Sequence, residues 1–383
     1  MDLRYFTPTR MQVDLSQAVD YHYGGFPPQA FDTARVLGPL LEATDALARY
    51  DQMLKGMHNS EILLAPLRGQ EALASSRMEG TFSTLEEVLE LESETDPDLS
   101  ASDEYRSEAV ETYLYGRALR AAREAMQDGQ PLSKSLIRQT HQLLLSYARG
   151  QSKNPGQFKT EQNYIGSRGS TRISFAPISP EQLESGMDRL LDFSGQAAMP
   201  ALLRVAISHL EFEALHPFKD GNGRVGRMLV TLLLWQLGCI STPHFYISRY
   251  FEEHKADYIH HMREVSASGA WENWCAFFLG AVKEQAHQNL QTAESIRDLY
   301  EEMKVRFAEL LNSAKAVTAL DYIFTNPVFR NSRFTKHAGI PPHTAARFSR
   351  VLLDHNLLVP VREAAGRQSA IYSFEPLLRL VRI

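Results

Sequence analysis

The sequence predicts a mainly α-helical protein, a helical bundle interrupted by one β-hairpin and closed by a C-terminal winged helix-turn-helix domain. Three observations carry this expectation. Apolar residues recur at spacings of three and four from Ala34 onward, as in Leu37, Leu40, Leu41, Leu47 and Ala48 with Thr44 in the same stripe, which is the period of an amphipathic helix. One Gly-rich turn, Gly166-Ser167-Arg168-Gly169-Ser170, is bracketed by Phe158, Tyr164, Ile165, Ile173 and Phe175, and reads as two short strands in a hairpin. The stretch after Lys315 runs helix, short helix, Gly-Pro turn, helix, then two extended pieces, the order of a helix-turn-helix with a wing.

Taken in order, the first helices end at Val88 to Leu91, where Glu92, Glu94, Asp96, Asp98, Asp103 and Glu104 surround Pro97. This acidic run reads as a solvated connection. Helices over Tyr105 to Met126 and Leu132 to Tyr147 stop at the Gly, Ser, Asn and Pro cluster of Gly150 to Gly156. After the hairpin, helices resume at Pro180 and run to Leu311. The tail places helices at Ala316 to Phe324, Phe334 to Ala338 and His343 to His355, a turn at Gly339-Ile340-Pro341-Pro342, and extended pieces at Leu358 to Arg362 and Ala370 to Phe374 around Gly366.

A chain of 383 residues has room for two or three domains, and the texture divides it at 1–104, 105–312 and 313–383. With 44% apolar and 22% charged residues the composition is that of a packed globular protein. Cys239 and Cys275, its only cysteines, sit in apolar stretches, which excludes a disulfide framework and favours a reducing, cytoplasmic setting. The longest apolar run, Met228 to Ile240, is too short to span a bilayer. A net charge of −6 argues against the whole chain binding nucleic acid, but from Lys315 onward ten Lys and Arg face four Asp and Glu, a local +6 that leaves −12 elsewhere.

The richest stretch is His216-Pro217-Phe218-Lys219-Asp220-Gly221-Asn222-Gly223-Arg224-Val225-Gly226-Arg227. Pro217 ends one helix and the glycines open the next. Free backbone N–H groups at that helix start, uncovered at Gly221 and Gly223, form a nest for an anion such as phosphate. Arg224 and Arg227 are three apart, so both project from one face and can fork onto phosphate oxygens. Gly221 to Gly226 also fits G-x-G-x-x-G, but a helix precedes it and no ribose-binding acid follows between Cys239 and Tyr246. A P-loop fails as well, since Arg227-Met228 follows Gly226. His216 is either a general base for an incoming hydroxyl or a packed structural histidine. Asp220 is either a Mg²⁺ ligand or the N-cap of the Gly221 helix.

His216 to Arg227 fits the Fic-family pattern HPFx[DE]GNGRxxR at every fixed position, and in this the chain resembles that family. Phe26-Pro27-Pro28 and Glu71 to Thr81 look like the family's N-terminal segment, and Lys159 to Pro177 is similar to its flap. Tyr258 and Trp271-Glu272-Asn273-Trp274 resemble the stretch that closes over adenine, and the tail resembles an appended winged helix. The resemblance implies a Fic-type bundle that transfers AMP from ATP to a hydroxyl of a target protein, with removal of AMP by the same site left open. It implies His216 as general base and Asp220 holding Mg²⁺ against the α- and β-phosphates. ATP would be held by Gly221, Asn222, Gly223, Arg224, Val225, Gly226 and Arg227, with Tyr258 and Asn273 at the adenine and Phe218 anchoring the loop. A Lys where Gly223 sits would mark the kinase-like branch, and it is absent here.

Ser75 and Glu79 fall on one face of the helix running from Pro66, with Gly80 placed to cap it. Glu79 lies at the wrong end of that helix's dipole and calls for a cation or water. Ser75-x-x-x-Glu79-Gly80 matches the family's inhibitory motif [ST]xxxE[GN], which implies that Glu79 pairs with Arg227 in the same chain and displaces the γ-phosphate. The hairpin either docks an extended segment of the target main chain to main chain or is a self-contained surface feature. A rival reading is a DNA-binding transcriptional regulator whose Fic core senses nucleotide or a partner. In it Arg330, Arg333, Lys336, Arg347 and Arg350 face phosphates, whereas the other use of 313–383 is homodimerisation or target docking.

Overall fold

The computed structural model describes residues 14–57, 64–93, 106–167, 171–195, 198–366 and 368–382, together with the backbone of 3–6. The hairpin tip 168–170 and most of the acidic connection, 94–105, lie outside the described residues. Helix dominates, as the periodicity predicts. By their contacts the residues fall into two compact units: Met1–Asp51, Ala74–Thr81 and Leu114–His287 form one, and Gln52–Leu73, Phe82–Tyr113 and Gln288–Ile383 the other. This division does not follow the three stretches expected from texture, because residues 1–104 are shared between both units and 313–383 cluster with earlier segments.

The first unit is built on a helical pair. In chain order, helices α1 (Thr33–Gly56), α2 (Ala65–Met78), α3 (Leu85–Ser93), α4 (Ser107–Gln127) and α5 (Lys134–Leu144) come first, and α6 (Pro180–Gly195), α7 (Ala201–Leu215) and α8 (Asn222–Gln236) follow the hairpin; of these α3 belongs to the second unit, and α1, α2 and α4 contribute residues to both. Of α8, every residue from Asn222 to Leu234 is buried, so it is the central helix of the bundle. It packs against α7, and Leu203, Ile207 and Phe212 of α7 and Val225 and Val230 of α8 are without exposure. A helix buried on every side in this way belongs inside a core. Helices α9 (Ser248–Glu253), α10 (Lys255–Ser268) and the long α11 (Trp271–Leu311) complete the set before the tail.

The hairpin strands, β3 (Tyr164–Ser167) and β4 (Ile173–Ala176), pair antiparallel as expected but do not stand alone. They are the middle of a four-stranded sheet of order β1-β3-β4-β2. β1 (Leu3–Phe6) pairs antiparallel with β3, setting Tyr5 opposite Ile165, and β2 (Val19–Asp20) runs parallel to β4. Neither N-terminal strand has enough alternation to be read locally. The self-contained hairpin is therefore corrected: its edges carry strands from the start of the chain. Tyr21 extends the second pairing and ties it to the bundle, its hydroxyl donating to Glu211 Oε1 at 2.6 Å.

In the second unit the tail forms α12 (Ala316–Thr325), α13 (Asn331–His337), α14 (Pro342–Asp354) and α15 (Glu375–Val381), with an antiparallel sheet of β5 (Val328–Arg330), β6 (Leu358–Arg362) and β7 (Ile371–Phe374) in the order β5-β7-β6. The helices and the last two strands fall where the sequence places them, whereas β5 and α15 are additions. Arg330 and Arg362 face the buried Glu90 of α3 at 3.6 and 3.7 Å. Arg347 donates to the Leu311 carbonyl at 2.9 Å.

Candidate active site

The functional stretch joins α7 to α8. His216 ends α7 with a left-handed backbone, φ 48°, a conformation sparsely populated by residues other than glycine and held only where surroundings fix it. Several bonds do so here. The Asn163 side chain donates to the carbonyls of His216 and Phe218, both at 3.1 Å. Lys159 donates from Nζ to the Leu215 carbonyl at 3.1 Å and to Asn163 Oδ1 at 2.7 Å, and its backbone N–H donates to Pro217 O at 2.8 Å. Asn222 clasps the loop from the other side, accepting from Phe218 N–H and donating to Phe218 O, both at 2.8 Å. Phe218 is fully buried and stacks on His141 at 3.7 Å. His141 in turn bonds the Asp220 carbonyl through Nε2 at 2.9 Å and accepts from Gly156 N–H through Nδ1 at 2.8 Å.

His216 Nδ1 lies 3.2 Å from the Glu213 carbonyl. A carbonyl only accepts, so Nδ1 carries the proton and Nε2 the lone pair. Burial, and secondarily the Lys159 charge, push the imidazole pKa down to about 3, so it is neutral at ordinary pH. Burial likewise lowers Lys159, to about 7.

His216, Gly223, Arg227 and Tyr258 line one cleft, together with Glu79, Glu213, Lys255 and Arg263. It encloses about 800 Å³ including its open mouth, and Ile165, Phe175, Leu210, Ile259 and Met262 give it an apolar wall. Arg227 is buried and fully engaged on one side: Nε donates to Ser75 Oγ, and Nη2 donates to Ser75 O and to Glu79 Oε1, all at 2.8 Å. The turn holding Glu79 is fixed locally. Gly80 adopts φ 78°, Thr81 N–H reaches back to Ser76 O at 3.0 Å, and Lys255 Nζ donates to Met78 O at 2.6 Å. A Cβ on Gly223 would overlap the Glu79 carboxylate and stand 2.9 Å from Arg227 Nη1. The carboxylate therefore sits against the first turn of α8, where the dipole and free N–H groups favour an anion.

Other residues of the stretch take different places. Arg224 is buried with its Nε lacking a hydrogen-bond partner among the described residues, and its Nη2 lies 3.6 Å from Asp220 Oδ1. A buried guanidinium so loosely held has donors left for an anion to accept from. The Asp220 carboxylate accepts from Gly221 N–H at 2.6 Å and is 28% exposed; the N-cap position of α8 is Gly221 with no side-chain cap bond, so Asp220 is not the N-cap but an outward-facing carboxylate just before it. One hard, outward carboxylate beside an anion nest fits Mg²⁺ shared with phosphates. No cluster of three or more His, Cys, Asp and Glu suited to a metal occurs among the described residues. Asn222 contributes only its backbone to the nest, since its side chain is used within the loop. Val225 is core, and Gly226 faces α7, where a Cβ would overlap the Glu213 carboxyl. Both support the helix pair and do not line the cleft.

Tyr258 does line it, its hydroxyl bonded to His209 Nε2 at 2.9 Å. Asn273 does not. It is exposed on the first turn of α11 and accepts from Arg35 Nη2 at 3.3 Å, while Trp274 is turned inward to bond Ala206 O at 2.8 Å. The cleft wall expected from residues 271–274 is supplied instead by α10, whose Lys255, Tyr258, Ile259, Met262 and Arg263 share one face. His141, Lys159, Asn163 and Glu213 were not legible as site residues. Their only sequence signal was position near the hairpin or the motif.

A histidine with an accepting nitrogen, the first turn of a glycine-opened helix and the buried Arg227 share one cleft, and the buried Arg224 lies on the same helix. Residues 131–234 match the Fic/DOC family model and residues 37–124 the Fic/DOC family N-terminal model. The chain belongs to the Fic/DOC family.

Relatives include protein adenylyltransferase fic-1 of Caenorhabditis briggsae, 38% identical over 87 residues that make up 22% of this chain and 16% of that protein. A probable protein adenylyltransferase of Aquifex aeolicus is 26% identical over 183 residues, 47% of this chain and 52% of the relative. The chain thus spans about a sixth of the first and half of the second. Among solved structures, a Fic family protein from Desulfovibrio desulfuricans superposes with a TM-score of 0.55 at 19% identity, covering 91% of this chain and 98% of the other. Fic-1 of Caenorhabditis elegans, residues 134–508, gives 0.52 at 18% identity over 69% and 75%. These two likenesses establish the fold. No helix among the described residues is long and apolar enough to cross a membrane.

Proposed function

We propose that the protein is an autoinhibited protein adenylyltransferase, transferring AMP from ATP to a hydroxyl side chain of a target protein in the cytoplasm. The observation that carries the reading is the meeting, in one cleft, of the His216 imidazole, the first turn of α8 and the Arg227 guanidinium. In this scheme His216 Nε2 takes the proton of the target hydroxyl as its oxygen bonds to the α-phosphorus, and the bond to the β-phosphate bridging oxygen breaks. Pyrophosphate leaves with that electron pair. The N–H groups at Gly221 to Gly223 hold the α- and β-phosphates, Arg224 and Arg227 the β- and γ-phosphates, and Tyr258 the base side. Mg²⁺ held by Asp220 would neutralise charge on the leaving phosphates. Rate arises from position and field rather than from covalent chemistry by the protein.

Glu79 is the brake in this reading. It takes Arg227 away from the γ-phosphate and sets a negative charge on the nest itself. Residues 313–383 are read as a winged helix serving docking or dimerisation. The DNA-binding alternative has less support, because Arg330 and Arg347 are committed within their own unit. The test is labelling with ATP carrying the label on the α- or on the γ-phosphate, using Glu79→Gly with and without His216→Ala. Label from the α-position alone, lost with His216→Ala, is expected. Transfer of γ-label, or undiminished transfer by the His216→Ala variant, overturns the assignment.

A further inference from the structure

We propose that Glu213 binds the nucleotide as a neutral acid, donating its carboxyl proton to an oxygen of the polyphosphate. The inference rests on reading the cleft as a nucleotide site. Glu213 lies one turn before His216 on α7 and lines the cleft with Gly223, Arg227 and Tyr258. Its Oε1 is buried and has no hydrogen-bond partner among the described residues. The carboxyl occupies the space left by the missing side chain of Gly226, where a Cβ would collide with it. A buried polar group without a partner is destabilising, and an apolar residue would fill the gap without that cost. A carboxyl held there at the rim of an anion site has a use when an acceptor oxygen arrives.

The surrounding charges determine its form. Arg227 on α8, Glu79 at the end of α2 and Tyr258 on α10 face it, His216 caps its own helix, and Lys255 and Arg263 line the same cleft. Arg227 is taken by Glu79 in this structure, and in the proposed nucleotide complex by phosphate, so with nucleotide bound an ionised Glu213 would lie uncompensated in Glu79→Gly as well. Burial foremost, opposed by Arg227 and reinforced by Glu79, raises the Glu213 pKa to about 8. A protonated carboxyl gives a short charge-assisted O–H···O⁻ bond to phosphate, whereas the ionised form repels it. Nucleotide binding is thereby coupled to one proton.

The experiment is titration calorimetry of the full chain with an ATP analogue whose α–β bridge cannot be cleaved. It uses Mg²⁺, pH 5.5 to 9, and two buffers of different ionisation enthalpy. Glu79→Gly is the parent, compared with the same protein carrying Glu213→Gln or Glu213→Ala. The parent should lose about tenfold in affinity across the alkaline half of this range and take up a fraction of a proton on binding. Glu213→Gln, which keeps a donor and cannot ionise, should bind within about threefold of the parent at pH 6 with that alkaline loss and that proton uptake removed. Glu213→Ala should bind about tenfold more weakly at pH 6. Lys159 titrates in parent and variants alike, so the difference isolates Glu213. Alkaline loss and proton uptake that persist in Glu213→Gln, or parent-like affinity in Glu213→Ala, overturn the proposal. A parent that binds at no pH removes the nucleotide reading and this inference with it.

Discussion

Replacing Glu79 by Gly should make the protein less stable and more active together. Arg227, 2% exposed, keeps its two bonds to Ser75 but loses the Glu79 carboxylate, itself 17% exposed, at 2.8 Å. Breaking a buried pair costs about 3–5 kcal/mol. Discounting for the exposure of Glu79 and the retained Ser75 bonds leaves about 2 kcal/mol, or a fall in Tm of about 4–8 °C for a unit of this size. Nucleotide should restore it, because phosphate replaces the missing carboxylate. At a hundredfold excess over Kd, ligand returns about 2.7 kcal/mol. The assay is thermal melting of wild type, Glu79→Gly and Glu79→Gln with and without ATP and Mg²⁺, beside autolabelling with α-labelled ATP. Wild type should shift little with ATP, Glu79→Gly by most of its deficit, and Glu79→Gln in between. Equal melting of wild type and Glu79→Gly, or an equal ATP shift in both, would refute the reasoning that one guanidinium serves carboxylate and phosphate in turn.

Gly223→Ala should loosen the brake without releasing activity, since the added methyl collides with the Glu79 carboxylate and fills the nest that phosphate needs; strong autolabelling by this variant would contradict the assigned position of the phosphates. Acid should destabilise the fold between pH 6.5 and 4. Burial holds His141 at about 4 and His209 and His216 at about 3, so the unfolded chain binds protons that the folded one refuses, at about 1.4 kcal/mol per histidine per pH unit, while the raised Glu213 works the opposite way and offsets one histidine; a flat denaturation midpoint from pH 7 to 5 would count against it. Because β1 occupies the outer edge of β3, deleting residues 1–10 should raise labelling of a target that docks on the hairpin. Proline at Tyr164, which does not line the cleft, should lower it while leaving autolabelling in place. If both changes leave target labelling unchanged, the hairpin edge is not the docking strand.

The sequence by itself determined the helical class, the hairpin strands and the chemistry of the loop, for reasons that are local. His216 to Arg227 are contiguous, so the helix stop at Pro217, the nest at Gly221 to Gly223 and the facing arginines are all set by spacing within two turns. Ser75 and Glu79 were legible for the same reason, one turn apart on a capped helix end. Their meeting with Arg227, separated by about 150 residues, is a matter of packing that the family resemblance anticipated and no periodicity encodes. Tertiary structure alone decided the rest. It brought Lys159, Asn163 and His141 around the loop, set Lys255 on the Met78 carbonyl, and put the Glu213 carboxyl in the gap at Gly226. It also turned Asn273 outward, because the apolar partners Trp271 and Trp274 on the same turn claim the inward face of α11. The edge strands β1 and β2 were invisible for a related reason. A strand of two to four residues has too little alternation to declare itself, and only the unpaired edges of β3 and β4 give it a place.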